Sequence, residues 1–84
     1  MDNYRKELEE FTRKNKVPLI VTSISSDSNF STFYSKQECR ISKEKYLKRL
    51  EIILEKKYKG CYVRDDKNGF RLLIPTEIVW RLTG

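Results

Sequence analysis

The chain has 84 residues, 38% of them hydrophobic and 36% charged, and its 18 lysines and arginines against 12 carboxylates leave a net charge of +6. This is the length of one small α+β domain, residues 1–84, and the excess of positive charge favours an anionic partner. There is no histidine and there are only two cysteines, Cys39 and Cys61, which excludes histidine-based catalytic triads, histidine metal ligation and a four-ligand zinc site.

With no glycine-rich phosphate loop either, the composition points away from an enzyme and calls for no cofactor and no metal. The two thiols read as reduced and mostly buried. No apolar run approaches the roughly 18 to 20 residues of a membrane span, and the N-terminus MDNYRKELEEF is charged where a signal peptide would be apolar. The expectation is a soluble cytoplasmic protein, with association to a nucleoid or nucleus also fitting, and no membrane partner.

Residues 2–15 place Tyr4, Leu8 and Phe11 on one narrow stripe of a helix, with Asp2 or Asn3 able to cap its first turn. Pro18 ends that helix, and Val17-Pro18-Leu19-Ile20-Val21-Thr22-Ser23-Ile24 is β-branched and apolar enough to predict a central strand covered on both sides. Ser25 to Asn29 favours a loop. The run from Phe30 to Glu38 fits a short helix through Phe30, Phe33 and Tyr34, and fits a short strand equally well. In either form the three aromatic residues read as core first and as a base-stacking surface second.

Ser42 predicts an N-cap for a long helix over Lys43 to Tyr58, which Gly60 terminates. Two alternating runs follow, Cys61 to Arg64 and Phe70 to Ile74, around a turn carrying Asn68-Gly69. The carboxylates Asp65 and Asp66 have the composition of that turn. Glu77 to Leu82 fits a last helical turn or a terminal strand, with Trp80 as a packing residue.

Residues 43–59 hold seven basic side chains against three acidic ones, which is four of the six net charges. At about 100° per residue, Tyr46, Leu47, Leu50, Ile53, Leu54 and Tyr58 share one wide apolar face. Lys45, Lys48, Arg49, Lys56 and Lys59 form a basic stripe roughly opposite, and Glu44, Glu51 and Glu55 gather on one flank. Ile52 falls in the middle of the basic stripe, where a merely solvated helix face would carry a polar residue. In the hairpin, alternation puts Cys61 and Val63 with Phe70, Leu72 and Ile74 on one face. Tyr62 and Arg64 lie with Arg71 and Leu73 on the other, a combination able to stack on bases and neutralise phosphates.

The segment Glu38 to Glu51, followed by Gly60 to Arg64 and Phe70 to Ile74, resembles a winged helix-turn-helix over roughly residues 30–75. The resemblance implies that Lys43 to Tyr58 is a recognition helix with Lys45, Lys48 and Arg49 facing the DNA, and that Arg64, Lys67, Asn68 and Arg71 at the wing touch the backbone. The rival architecture pairs the strand at 17–24 with the hairpin and packs the helices on one face of a small antiparallel sheet.

Both arrangements make the chain a small nucleic-acid-binding regulatory or accessory protein, with duplex DNA favoured over RNA. Its contacts would come from Lys45, Lys48, Arg49, Lys56, Lys59, Arg64, Lys67 and Arg71. A second reading makes it an adaptor or inhibitor docking on an acidic protein, with Ile52 and Tyr62 as partner contacts. A homodimer through the same patch also fits the composition.

Overall fold

Tyr4, Leu8 and Phe11 fall on one side of a helical repeat, and Asp2–Lys14 is accordingly a helix, α1, in a computed structural model that describes residues 2–83, with side chains from Asn3 to Val79. Leu8 is buried, with Tyr4 and Phe11 packed against the core beside it. The helix ends in two reversed hydrogen bonds, from the Val17 N–H to the Thr12 carbonyl at 2.9 Å and from the Lys16 N–H to the Arg13 carbonyl at 3.2 Å. They place Lys16 at φ 62°, a left-handed position where glycine is the usual choice.

The strands are β1 (Leu19–Ser26), β2 (Phe30–Gln37), β3 (Tyr62–Asp66) and β4 (Gly69–Pro75); the other helices are α2 (Lys43–Glu55) and α3 (Thr76–Thr83). The four strands form one antiparallel sheet in the order β1-β2-β4-β3. Leu19 and Val21 of β1, Phe33 of β2, and Phe70, Leu72 and Ile74 of β4 point to one face, where they meet Leu8 of α1, Tyr46, Leu50 and Leu54 of α2, and Val79 of α3. The architecture is α+β, with three helices on one face of a small antiparallel sheet. Tyr46 ties the layers together: fully buried, its hydroxyl donates to the carbonyls of Val17 at 2.8 Å and Pro18 at 3.1 Å.

Two sequence expectations are corrected here. Residues 30–37, where a winged-helix order needs a short helix ahead of the turn at 39–42, form the strand β2. Its period is two, with Ser31, Phe33 and Ser35 buried in alternation, and both neighbouring strands supply hydrogen bonds that a helix at that position could not accept. The strand expected at the centre of the sheet, β1, lies at its edge and is covered on one side only, so Ile20 stays 45% exposed.

A register shift between Val21 and Ser23 makes Thr22 the extra residue of a bulge. The Val21 N–H, which faces away from the ladder, donates to a carboxylate oxygen of Glu9 on α1 at 2.9 Å.

Other expectations hold. Ser42 caps α2, its hydroxyl accepting from the Lys45 N–H. The hairpin forms, but its turn is Lys67-Asn68, one residue earlier than Asn68-Gly69, so Asp65 and Asp66 end β3 and Gly69 opens β4 at φ 151°. Gly69 is constrained by space as well as by its backbone, since a Cβ there would lie 2.2 Å from the Ser35 carbonyl oxygen. The loop between β1 and β2 shortens to residues 27–29, where a carboxylate oxygen of Asp27 accepts from the N–H groups of Asn29 and Phe30, both at 2.7 Å. These bonds hold the Asp27 carboxyl below its ordinary pKa. Residues 76–83 take the helical alternative as α3, and the Trp80 side chain lies outside the described residues. No helix among the described residues is long and apolar enough to cross a membrane.

Candidate nucleic-acid interface

Because all three helices pack on one side, the opposite side of the sheet is left open. Antiparallel register sets what stands on it. One row runs Ser23, Tyr34, Arg71, Arg64 across β1, β2, β4 and β3, and the next runs Ser25, Thr32, Leu73, Tyr62. Phe30 and Lys36 extend β2 at either end of these rows. The uncovered face therefore carries three aromatic rings and three cations.

Two of the rings are paired. Phe30 and Tyr62 lie with centroids 5.5 Å apart and planes tilted by 41°, and the Arg64 guanidinium stands 6.0 Å from the centre of the Tyr62 ring. Tyr62 is 49% exposed, so one side of this cluster is available to a further flat ring. Arg64 and Arg71 occupy directly opposed positions on β3 and β4. Like charges in that relation are unfavourable across a ladder. Among the described residues neither is in an ion pair, and Arg71 Nε is buried with no hydrogen-bond partner. Toward the far end of the face, a groove of about 320 Å³ runs between the β1 bulge and the hairpin turn, lined by Ser23, Tyr34, Lys36, Asp66 and Asn68 among others.

The basic residues expected to bind divide between two sides. Arg64 and Arg71 stand on the open sheet face, with Lys67 exposed in the turn beside them. Lys45, Lys48, Arg49, Lys56 and Lys59 are all exposed along the outside of α2 and the turn after it, with the sheet between them and the arginines. Ile52 is 66% exposed in their midst.

The two remaining lysines of the segment serve the fold. Lys43 donates to an Asp65 carboxylate oxygen at 2.7 Å and to the Asp66 carbonyl at 3.0 Å, fastening the start of α2 to the hairpin. That hydrogen bond, with the lysine's charge, draws the Asp65 carboxyl below its ordinary pKa. Lys57 pairs with Glu7 at 3.0 Å and lies 4.9 Å from the centre of the Phe11 ring. The Lys48–Glu44 contact, at 3.9 Å and fully in solvent, adds little.

Compared with protein-family models, curated proteins and solved structures, the chain matches none of them.

Lys36 is a site residue that the sequence does not single out, and Phe30 and Tyr34 join the site in the second of the two roles the sequence offers them, base stacking. Their signal was present: a strand over 30–37 puts Phe30, Thr32, Tyr34 and Lys36 on one face and Phe33 on the other. Cys61 is buried, and that burial, with Glu55 nearby, pushes its thiol up to about 11; Cys39 is half-buried, and both thiols are free. No group of three or more potential metal ligands occurs among the described residues.

Proposed function

We propose that this protein binds single-stranded nucleic acid on the open face of its sheet. The observation that carries the reading is the opposed pair Arg64 and Arg71, two cations in register on an uncovered strand pair, one with an unpartnered buried nitrogen, beside an exposed aromatic cluster. A phosphate seated between the guanidiniums relieves their repulsion and accepts from their solvent-facing N–H groups. Tyr62 with Phe30, and Tyr34 four residues along β2 from Phe30, then meet the flanking bases face to face, a contact worth about 1 to 3 kcal/mol per base.

An unpaired strand suits this surface better than a duplex. The rings lie on a broad sheet face and need free base faces, which in a duplex are already stacked on one another. Asp66 and Asn68 beside the groove at Tyr34 add acceptors and donors for base edges, so a modest base preference accompanies a mainly electrostatic affinity.

The test is a labelled single-stranded oligonucleotide titrated with the wild-type protein and with Tyr62→Ala, read by anisotropy. Loss of one stacked base weakens binding by about fivefold or more. Equal affinity for the two proteins, or tighter binding to a duplex of the same sequence, would remove the sheet face from consideration.

A further inference from the structure

The other side of the molecule carries a second surface, of different chemistry. Where α2 passes the junction between α1 and β1, Asn15, Lys16, Val17, Arg49, Ile52 and Ile53 enclose a groove of about 220 Å³. Its floor is aliphatic, and Arg49 and Lys16 stand at its rim. On the helix, Lys45 and Lys56 lie within about 40° of Ile52 around the axis and Arg49 about 60° away on the groove side, while Glu55, Glu44 and Glu51 lie about 60 to 100° away on the other side. None of Lys16, Lys45, Arg49 and Lys56 is in an ion pair among the described residues.

We infer that this groove docks a partner protein through an acidic segment that inserts one large apolar side chain beside Ile52. Three observations select that occupant. The 66% exposure of Ile52 costs solvation that only apolar burial recovers, and a phosphate backbone offers none. The charged residues lining the groove, Lys16 and Arg49, are both positive, with Lys45 and Lys56 on the same side of Ile52, which attracts and orients carboxylates. The same rim makes a second copy of this chain a poor occupant, because the two basic stripes would face each other. An apolar anchor ringed by charge is also the usual distribution of binding energy at a protein contact. The surface is separate from the sheet face, so the inference stands whether or not nucleic acid binds there.

The experiment uses the full chain with labelled isoleucine, leucine and valine methyl groups and two synthetic acidic helical peptides, identical except that one carries a leucine where the other has serine. The leucine peptide should bind about tenfold more tightly and shift the methyl signals of Ile52, Ile53 and Val17. Ile52→Asp and Arg49→Glu, both at exposed positions, should each weaken it by about tenfold while a single-stranded oligonucleotide binds them as it binds wild type. Equal binding of the two peptides would reduce the surface to nonspecific charge, and absence of binding by the leucine peptide would overturn the inference. So would an oligonucleotide that moves the Ile52 methyl, by assigning α2 to nucleic acid.

Discussion

Replacing Arg71 by threonine should make the protein more stable and less able to bind. Arg71 opposes Arg64 directly across the β3–β4 ladder, and like charges so placed cost about 0.2 to 1 kcal/mol. Its Nε is buried without a partner, a further cost of about 1 kcal/mol at full burial, reduced here because the side chain as a whole is only half-buried. Against this stands the packing of the arginine's aliphatic stem on the sheet. The balance is a gain of about 0.5 to 1 kcal/mol, or a rise in Tm of roughly 2 to 8 °C for a domain of this size.

Urea unfolding followed by circular dichroism at low and high salt measures it, and the gain should shrink as salt screens the pair. Arg64→Thr should bring a smaller gain, because it removes the repulsion but leaves Arg71 Nε unpartnered, and the double variant should gain little beyond Arg71→Thr, since the repulsion can be removed only once. A loss of more than about 1 kcal/mol in Arg71→Thr, or a gain indifferent to salt, would show that the guanidinium holds the sheet together and would refute the reasoning.

Gly69→Ala should destabilise by about 1 to 3 kcal/mol in the same urea assay, because the new Cβ would meet the Ser35 carbonyl oxygen of a neighbouring strand and the backbone is at φ 151°. Lys16→Gly should stabilise by about 1 kcal/mol, since it relieves a left-handed conformation at the end of α1; thermal unfolding will show it. Stability should also fall in alkali. Burial raises the pKa of Tyr46, Tyr58 and Cys61 in the folded state, so the unfolded chain releases protons first and stability declines as pH climbs past 9.0 for the thiol and 10.0 for the phenols. Unfolding free energies measured between pH 8 and 11 should trace that decline, and Tyr46→Phe should flatten it.

Much of this arrangement is legible in the residues, and what is not has physical causes. The stripe of Tyr4, Leu8 and Phe11, the Ser42 cap, the inward face of Tyr46, Leu50 and Leu54, and the shared face of Arg64 and Arg71 all follow from local periodicity, while the register that opposes the two arginines depends on where the turn falls. The segment 30–37 does not, because Phe30, Phe33 and Tyr34 satisfy the helical spacing as well as the alternating one. The choice was made by β1 and β4, whose edges β2 joins.

The position of β1 at the sheet edge is likewise a matter of strand order, which its own apolar sequence does not encode; Ile20 and Ile24 look equally internal until one face is found uncovered. With helix and strand both open for 30–37, Phe30 and Tyr34 read first as core and Lys36 has no assigned face. The division of the basic residues between two sides of the molecule depends on which face of the sheet α2 covers, and no single element carries that information.

The most direct measurement of the proposed function is the salt dependence of oligonucleotide affinity in the wild type and in Arg64→Gln/Arg71→Gln. Phosphate contacts by Lys36, Arg64 and Arg71 on a single strand predict a slope of about −2 in log K against log salt, or roughly twentyfold weaker binding at 200 mM than at 50 mM. The double variant should bind more weakly and lose about 1.4 of that slope. A slope unchanged by the two substitutions, or no binding by the wild-type protein even at low salt, would contradict a nucleic-acid site on the open sheet face.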